Sequence, residues 1–341
     1  MSSISNDNLK SQNEPRNEEV FALRDQVLDS SLRPKTFDEY VGQDIIKKNL
    51  HILLSAAKER NHQPEHILFY GPPGLGKTTL AHIIAKSIGA NMKTTSGPAI
   101  EKVGDLASIL TNLESGDVLF IDEIHRLNKM VEEILYPAME SGVIDIIIGK
   151  GPAARTIQLD IPPFTLIAAT TRLAMLSAPL RSRFSGGVHR LEHYTDQEIQ
   201  KIICKSSEVL NIKIENEALI EISKRVRSTP RTANYILKRV RDYAQVYKKN
   251  VDLVVVNEVM KMLEIDQYGL TAQDRKLLRI IMDNFKGGPV GLNTLSASLS
   301  EEEDTLENVI EPYLLQIGML ERTARGRTVT DKAVEHISKF I

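Results

Sequence analysis

The feature that most constrains this chain is a glycine-rich loop between an apolar run and a helical pattern. The loop, Gly71 to Thr79, reads GPPGLGKTT and fits the spacing G-x-x-x-x-G-K-[ST]. The run HILFY (66–70) precedes it, and TTLAHIIAKSI (78–88) follows it. The loop therefore joins a strand to a helix N-terminus, where backbone N–H groups bind phosphate. An ordinary Gly/Pro turn is the alternative interpretation, which the strand and helix on either side disfavour.

Two residues of the loop have predicted contacts with a bound nucleotide. Lys77 is expected to reach the β- and γ-phosphates, and the Thr78 hydroxyl is expected to ligate Mg²⁺. The glycines allow backbone N–H groups to curl around phosphates. The loop therefore predicts a site for a nucleoside triphosphate and Mg²⁺.

Short apolar runs alternate with helical patterns between about residues 31 and 190. Besides HILFY, the runs DVLFID (117–122) and FTLIAAT (164–170) are typical of strands buried on both faces. The segments between them have apolar residues at i, i+3 and i+4, which indicates amphipathic helices. This alternation predicts an α/β fold with a parallel sheet covered by helices on both faces.

Two carboxylates follow the second predicted strand. Asp122 ends this strand and Glu123 comes next, so both emerge at the carboxyl end of the sheet, where α/β proteins bind ligands. Asp122 is predicted to hold Mg²⁺ through water, and Glu123 to orient or deprotonate an attacking water. Apolar strands that end in Asp-Glu are common, so this prediction depends on the phosphate loop upstream.

Polar residues elsewhere complete the predicted site. Either Thr170 or Thr171, after the third strand, is positioned to contact the γ-phosphate or the water; a Thr-rich strand end is the alternative. Arg181 and Arg183 both follow Pro179, and either is a candidate for the cation that a phosphoryl-transfer transition state needs, which an arginine can supply in trans; plain surface charges are the alternative. Arg231 begins a helix and is predicted to reach back to the phosphates, unless it is only a basic first-turn residue.

The remaining sequence suggests a tail and two further domains. Residues 1–30 are polar and acidic and are predicted to be a flexible tail. Residues 31–192 hold the alternating pattern, and residues 193–268 are helical throughout. Residues 269–341 show three helices followed by a hairpin, which is the pattern of a winged helix.

The charge balance excludes a globally basic nucleic-acid-binding protein. The chain has 43 Lys and Arg against 45 Asp and Glu, and it has no Trp, so any DNA contact must be local. Residues 224–249 carry nine Lys or Arg and one acid, but a solvated helical face is the favoured interpretation. Arg322, Arg325 and Arg327 surround Gly326 in the predicted hairpin, where they suit sequence-independent contact with the DNA backbone.

Composition also excludes several other classes of protein. The single cysteine, Cys204, forms no internal disulfide, and the eight histidines lack ligand spacing. No apolar run approaches the roughly 20 residues of a membrane span, and no signal peptide opens the chain. Glu301–Glu303 and Asp304 make one helix N-terminus of the winged unit acidic, which repels phosphate and disfavours a recognition helix in the major groove. We expect a soluble cytoplasmic protein.

Several strings in this order and spacing resemble a known family. The phosphate loop with LFIDEIHRL, IAATTR, PLRSRF and STPRTAN is similar to the AAA+ ATPases. More narrowly, the chain from about residue 32 to about residue 330 resembles the RuvB type, the motors of Holliday-junction branch migration. The specific strings are TTSGPAIEKVGDLASIL, ILYPAMESGVIDIIIGKGPAART, RKLLRIIMDNFKGGPVG and ERTARGR. One departure is an extra residue after Phe184.

The resemblance assigns roles to residues of this chain. It implies ATP or ADP as the nucleotide, with Mg²⁺. Residues expected to bind the nucleotide or to catalyse its hydrolysis are Leu32 and Arg33 over the adenine, Gly74, Gly76, Lys77, Thr78 and Thr79 in the phosphate loop, Asp122, Glu123, the first sensor Thr170 or Thr171, the arginine finger Arg183, Tyr194, and the second sensor Arg231. Arg322 and Arg327 correspond to the DNA-contacting residues of the wing.

The resemblance also implies partners and an assembly. It implies a homo-hexameric ring that pumps the duplex arms of a Holliday junction in recombination and repair. The segment 143–161 corresponds to a hairpin that docks on the junction-binding protein RuvA, and its Ile146–Ile148 run is expected to be exposed. A RuvC-type resolvase is a further implied partner.

Two other functions are weaker interpretations of the same motifs. A clamp-loader-type AAA+ ATPase shares the phosphate loop and finger but is not expected to end in a winged helix with a basic wing. A DNA-bound scaffold with a nucleotide switch does not need the full set of Asp122, Glu123 and Arg183. A two-lobed helicase is excluded because no second strand-rich lobe follows residue 195.

Overall fold

The computed structural model describes residues 30–148 and 155–340. The predicted flexible tail lies outside these ranges except for residue 30, so it stays a prediction. Within the described ranges, no helix is both long and apolar enough to cross a bilayer.

A parallel five-stranded sheet forms the centre of the first domain. In chain order the strands of this domain are β1 (Ile67–Tyr70), β2 (Met92–Ser96), β3 (Val118–Asp122), β4 (Val143–Ile148), β5 (Arg155–Asp160), β6 (Thr165–Thr170) and β7 (Val188–Arg190). The sheet has the order β2-β3-β6-β1-β7, and each neighbouring pair is parallel. The three strands predicted from apolar runs are therefore confirmed, together with the predicted α/β architecture.

Helices cover both faces of the sheet. They are α1 (Asp44–Glu59), α2 (Lys77–Ser87), α3 (Val103–Thr111), α4 (Lys129–Ser141) and the short α5 (Ala178–Ser182). Successive residues of a strand point to opposite faces. Phe69 accordingly packs with Leu80 of α2 on one face, and Leu68 packs with Leu106 of α3 on the other. This double burial explains why β1 is apolar throughout.

A separate antiparallel hairpin, β4–β5, projects from the end of α4. The strands pair from Val143 opposite Asp160 to Ile148 opposite Arg155. Ile144 is fully buried, and Ile146 is partly buried against the core beneath the sheet. The expectation of an exposed Ile146 is therefore wrong, because this residue faces the domain. Ile157 on β5 lies directly opposite Ile146 and on the same face of the hairpin, yet it is 44% exposed.

Four helices follow as a lid, namely α6 (Asp196–Val209), α7 (Asn216–Arg225), α8 (Pro230–Tyr247) and α9 (Leu253–Met262). A capping box begins α6: Thr195 accepts the Glu198 N–H, and Glu198 accepts the Thr195 N–H. The buried side chains of the lid are continuous with one face of the sheet, since Leu237 belongs to the same apolar cluster as Phe69. The apolar core of the lid is therefore continuous with the core on the α2 side of the sheet.

The last domain is a winged helix with its own core. Its elements are α10 (Ala272–Phe285), α11 (Leu292–Leu299), α12 (Glu303–Thr305), a π turn (Leu306–Ile310), α13 (Glu311–Gln316), β8 (Leu320–Thr323), β9 (Gly326–Val329) and α14 (Asp331–Ile337). Pro312 lacks an N–H, so the helical hydrogen-bond ladder cannot run regularly through it. This accounts for the π turn directly before α13.

A buried polar joint connects the lid to the winged helix. Arg227, between α7 and α8, forms an ion pair with the buried Asp274 of α10. Its Nε donates to the Gly269 carbonyl at 3.0 Å, and its guanidinium lies 4.8 Å from the Tyr313 ring centroid. One lid residue thus makes three contacts with the following domain.

Candidate nucleotide site and DNA-binding wing

The phosphate loop leaves the carboxyl end of β1 and runs into α2, as predicted. Gly76 has φ +99, and a Cβ built there would lie 2.7 Å from the Tyr40 hydroxyl oxygen. Conformation and space therefore both require glycine at this position. Thr79 lies in the first turn of α2 and is half-buried.

Lys77 is buried at the start of α2, with 8% of its surface exposed. Its Nζ donates to the carbonyl oxygens of Gly71 at 2.7 Å and Pro72 at 2.8 Å. Burial lowers the pKa of Lys77 to about 8, against the raising influence of Asp122. The ammonium group is thus held inside the loop by two neutral carbonyl groups. An anionic phosphate would balance its positive charge more strongly than these carbonyls do.

Thr78 and Asp122 come together beside the loop. The Thr78 Oγ1 donates to Asp122 Oδ2 at 3.4 Å, although the residues belong to α2 and β3. A hydroxyl and a carboxylate are oxygen ligands of the kind that Mg²⁺ prefers. In the described part of the chain, no group of three or more His, Cys, Asp or Glu side chains is placed to hold a metal. A magnesium ion at this pair therefore fits only with phosphate and water oxygens as its other ligands.

Glu123 and the two threonines occupy different positions around the same edge of the sheet. Glu123 has φ +49 directly after β3, and its carboxylate pairs with Arg126 at 3.3 Å. Thr170 is 1% exposed, and its hydroxyl lies 3.0 Å from His125 Nδ1. Thr171 is exposed. Of the two candidate sensors, Thr170 is therefore the one whose hydroxyl contacts the turn that follows Asp122 and Glu123.

Two tyrosine hydroxyls fix the Leu75 carbonyl of the loop. Tyr40 and Tyr194 each donate to this oxygen at 3.1 Å, and their own oxygens are 3.0 Å apart. Burial raises the pKa of Tyr194 to about 12 and raises the pKa of Tyr40 well above 10. Both groups stay protonated and act as donors throughout the physiological pH range.

Arg231 and the segment before α1 also reach the loop and the helix after it. The Arg231 N–H donates to the Gly74 carbonyl at 3.4 Å. The pKa of His82 on α2 is lowered first by burial and then by the charge of Arg33, so Arg33 lies close to α2. Leu32 is buried. The structure therefore brings Arg231 to the phosphate loop and Arg33 to the neighbourhood of α2.

Arg183 lies elsewhere. Its Nη2 pairs with Glu140 at 3.0 Å, its Nη1 donates to the Pro179 carbonyl at 2.7 Å, and its guanidinium lies 4.5 Å from the Tyr136 ring. It lines a cavity of about 410 Å³ together with His66. His66 immediately precedes β1, whereas the phosphate loop follows β1. Arg183 is thus at the end of this strand opposite to its own chain's loop.

The wing arginines are engaged within the winged helix. Arg322 donates to Glu311 at 2.6 Å and to Glu307 at 3.1 Å. Arg327 donates to Glu311 at 2.7 Å. The exposed fractions of their side chains are 42% and 14%. Arg325, at the turn between them, is exposed and makes no ion pair with any described residue. The two predicted DNA contacts therefore differ in access to a ligand.

The basic stretch 224–249 has acidic partners for at least five of its nine cations, including the Arg227–Asp274 pair described above. Ion pairs join Arg225 to Glu221, Arg239 and Arg241 to Asp242, and Lys249 to Glu258. Much of the positive charge of this stretch is therefore balanced within the protein.

Four residues around these sites were not identified from the sequence. Each of them contacts a residue of the predicted sites or of the phosphate loop. They are Tyr40, His125, Glu140 and Glu311. His125 had a visible signal, since it lies two residues after Glu123 in the strand-ending string DEIH. The others are distant in sequence from the residues that they contact, and no local pattern marks them.

Three family models match consecutive parts of the chain. The Holliday junction DNA helicase RuvB P-loop domain matches residues 32–191, and the RuvB AAA lid domain matches residues 194–266. The RuvB C-terminal winged helix domain matches residues 267–338.

Similar proteins cover nearly the same span. A Holliday junction branch migration complex subunit RuvB from Fusobacterium nucleatum subsp. nucleatum is 56% identical over 313 residues, which is 92% of this chain and 94% of the relative. One from Chloroflexus aggregans is 55% identical over 92% of this chain and 89% of the relative. The solved RuvB Holliday junction branch migration motor of Thermotoga maritima superposes with a TM-score of 0.82 at 51% identity, covering 90% of this chain and 98% of that one.

Replacing Lys77 tests the phosphate loop. Lys77→Ala is expected to abolish nucleotide binding and turnover, because it removes the cation held inside the loop. Binding of a fluorescent ATP analogue and phosphate release measure the effect. Lys86→Ala, on the exposed face of the same helix, is the matched control and should behave as the parent. Robust ATP hydrolysis by Lys77→Ala contradicts the assignment.

The paired tyrosines predict a non-additive effect on stability. Tyr194→Phe leaves Tyr40 to satisfy the Leu75 carbonyl, so the free energy of unfolding should fall by only about 1 kcal/mol. Combining it with Tyr40→Phe leaves a buried carbonyl without a donor, so the loss should exceed the sum of the single losses. Urea unfolding measures all three variants, with Tyr247→Phe as an exposed control. Strictly additive losses contradict a shared acceptor.

Proposed function

The chain belongs to the RuvB family, and on that premise we propose that it is the ATP-driven motor subunit that pumps duplex DNA during Holliday-junction branch migration in recombination and repair. The observation that carries the proposal is the split of the hydrolytic residues between two ends of the sheet. Lys77, Thr78 and Asp122 gather at the phosphate loop. Arg183 lies at the opposite end of β1. This split suits a ring in which each subunit completes its neighbour's site.

Each residue has a proposed role at the nucleotide. Lys77 binds the β- and γ-phosphates, while Thr78 and Asp122 hold Mg²⁺. Glu123 orients the attacking water and accepts its proton, and Thr170 positions it. Arg231 and Tyr194 report the bound phosphates to the lid. The other proposed nucleotide contacts are Leu32, Arg33, Gly74, Gly76 and Thr79. When bound, Mg²⁺ would neutralise phosphate charge during transfer.

The assembly and partners are proposed on the same basis. A homo-hexameric ring places Arg183 of one subunit at the phosphates of the next. The hairpin 143–161, with exposed Ile157, docks on a RuvA-type junction-binding protein, and a RuvC-type resolvase acts on the same complex. Arg322 and Arg327 contact the duplex without regard to sequence. The proposed domains are 31–192, 193–268 and 269–341, and the proposed location is the cytoplasm.

Branch migration of a synthetic four-way junction tests the function directly. With ATP, Mg²⁺ and a RuvA-type partner, we expect resolution into two duplexes. Without the partner, or with Lys77→Ala, we expect little resolution. If ATP is hydrolysed but the junction stays intact, a clamp-loader-type or other remodelling ATPase replaces the proposed motor.

Mixing inactive variants tests the shared site. Arg183→Ala is expected to bind ATP without hydrolysing it, because the transition state loses a cation worth about 10³- to 10⁵-fold in rate. Glu123→Gln should also be inactive. Co-assembled mixtures should recover part of the ATPase activity, because some interfaces combine an intact Arg183 with an intact Glu123. Arg181→Ala, an exposed neighbour, is the control. Absence of recovery in verified mixed rings contradicts action between subunits.

A further inference from the structure

The two proposed DNA-contacting arginines are directly opposite each other in the wing. Arg322 of β8 and Arg327 of β9 form a cross-strand pair. Like charges in such positions repel each other and destabilise a hairpin. The wing therefore needs a negative charge between them, and the structure supplies two carboxylates with different exposure.

Glu311 is the fixed partner of both arginines. Its side chain is fully buried, with 0% exposed. One carboxylate oxygen accepts Arg322 Nε at 2.9 Å and Nη2 at 2.6 Å, and the other accepts Arg327 Nε at 2.7 Å. Removing a partner from a buried charge is strongly unfavourable. Glu311 therefore stays paired and keeps both guanidinium planes oriented.

Glu307 is an exposed and replaceable partner. Its side chain is 45% exposed and accepts Arg322 Nη2 at 3.1 Å, while it lies 4.0 Å from Arg327 Nη2. It belongs to the π turn before α13, one helical turn from Glu311. Exposed ion pairs of this kind contribute little and exchange readily.

We propose that Glu307 occupies the position of a DNA phosphate on Arg322, so that a backbone phosphate of duplex DNA displaces Glu307 while Glu311 holds the arginine in place. Carboxylate and phosphate oxygens accept guanidinium N–H groups with similar geometry. Arg322 is the exposed member of the pair, so the exchange takes place there. The proposal rests on the proposed DNA-binding role of the wing and identifies the group that competes with DNA for it.

Binding of the full-length chain to labelled duplex DNA tests the exchange. The probe is a mixed-sequence duplex of about 30 base pairs, followed by fluorescence anisotropy with a non-hydrolysable ATP analogue and Mg²⁺. Glu307→Gln is expected to bind roughly two- to fivefold more tightly than the parent, the range that an exposed ion pair supports. Glu303→Gln removes the same charge nearby without an ion pair in the described structure, and it should change affinity by less than about 1.5-fold.

Repeating the comparison in an Arg322→Ala variant tests whether the effect depends on Arg322. In the presence of Arg322→Ala, the gain from Glu307→Gln should shrink to that of Glu303→Gln, because no guanidinium remains to be released. An equal gain with and without Arg322 overturns the exchange and leaves general charge repulsion. Weaker binding by Glu307→Gln overturns it as well, because Glu307 then positions Arg322 for DNA.

The same variants separate this proposal from the proposed function. If Arg322→Ala binds DNA and migrates junctions as the parent does, the DNA-binding role of this wing residue fails and the exchange fails with it. If Arg322→Ala binds poorly while Glu307→Gln behaves as Glu303→Gln, the wing binds DNA and only the exchange is wrong.

Discussion

The hydrogen bonds from Tyr40 and Tyr194 to the Leu75 carbonyl are the interaction on which the nucleotide site depends. A glycine-rich loop has many accessible backbone conformations, and ordering it costs conformational entropy. Here a buried tyrosine on each side fixes one carbonyl of the loop. Tyr40 comes from the segment before α1, and Tyr194 from the start of the lid. The loop is therefore ordered by its surroundings, and both segments are placed relative to it.

One short stretch of the lid, residues 227–231, connects the phosphate loop to the winged helix. At one end of the stretch, Arg231 donates its N–H to the Gly74 carbonyl. At the other end, Arg227 is fixed to Asp274 and Gly269 of the last domain. Only three residues thus separate a contact with the phosphate loop from a contact with the winged helix. A displacement of either end cannot be absorbed by a long flexible linker, so the nucleotide site and the wing are mechanically close.

The fold could be predicted because its determinants are local. Apolar runs such as 117–122 and the glycine spacing of 71–79 mark strands and the loop directly in the sequence. The orienting residues could not be predicted in this way. Glu140 holds Arg183 across 43 positions, and Tyr40 reaches Leu75 across 35. Such contacts depend on tertiary packing. The partial burial of Ile146 has the same origin, since alternation along β4 does not say which residues of the hairpin reach the domain.

The paired charges of the winged helix suit a contact with DNA that forms and breaks repeatedly. A motor that moves along DNA has to release each phosphate as readily as it binds it. Arginines without acidic partners would bind the phosphates tightly, because their binding releases counterions from the DNA. In this wing, Glu311 and Glu307 balance the charges of Arg322 and Arg327. The buried acid preserves geometry, whereas the exposed acid moderates affinity. The near-neutral chain, with a net charge of −2, is thus suited to a DNA-acting subunit whose contacts with DNA are local.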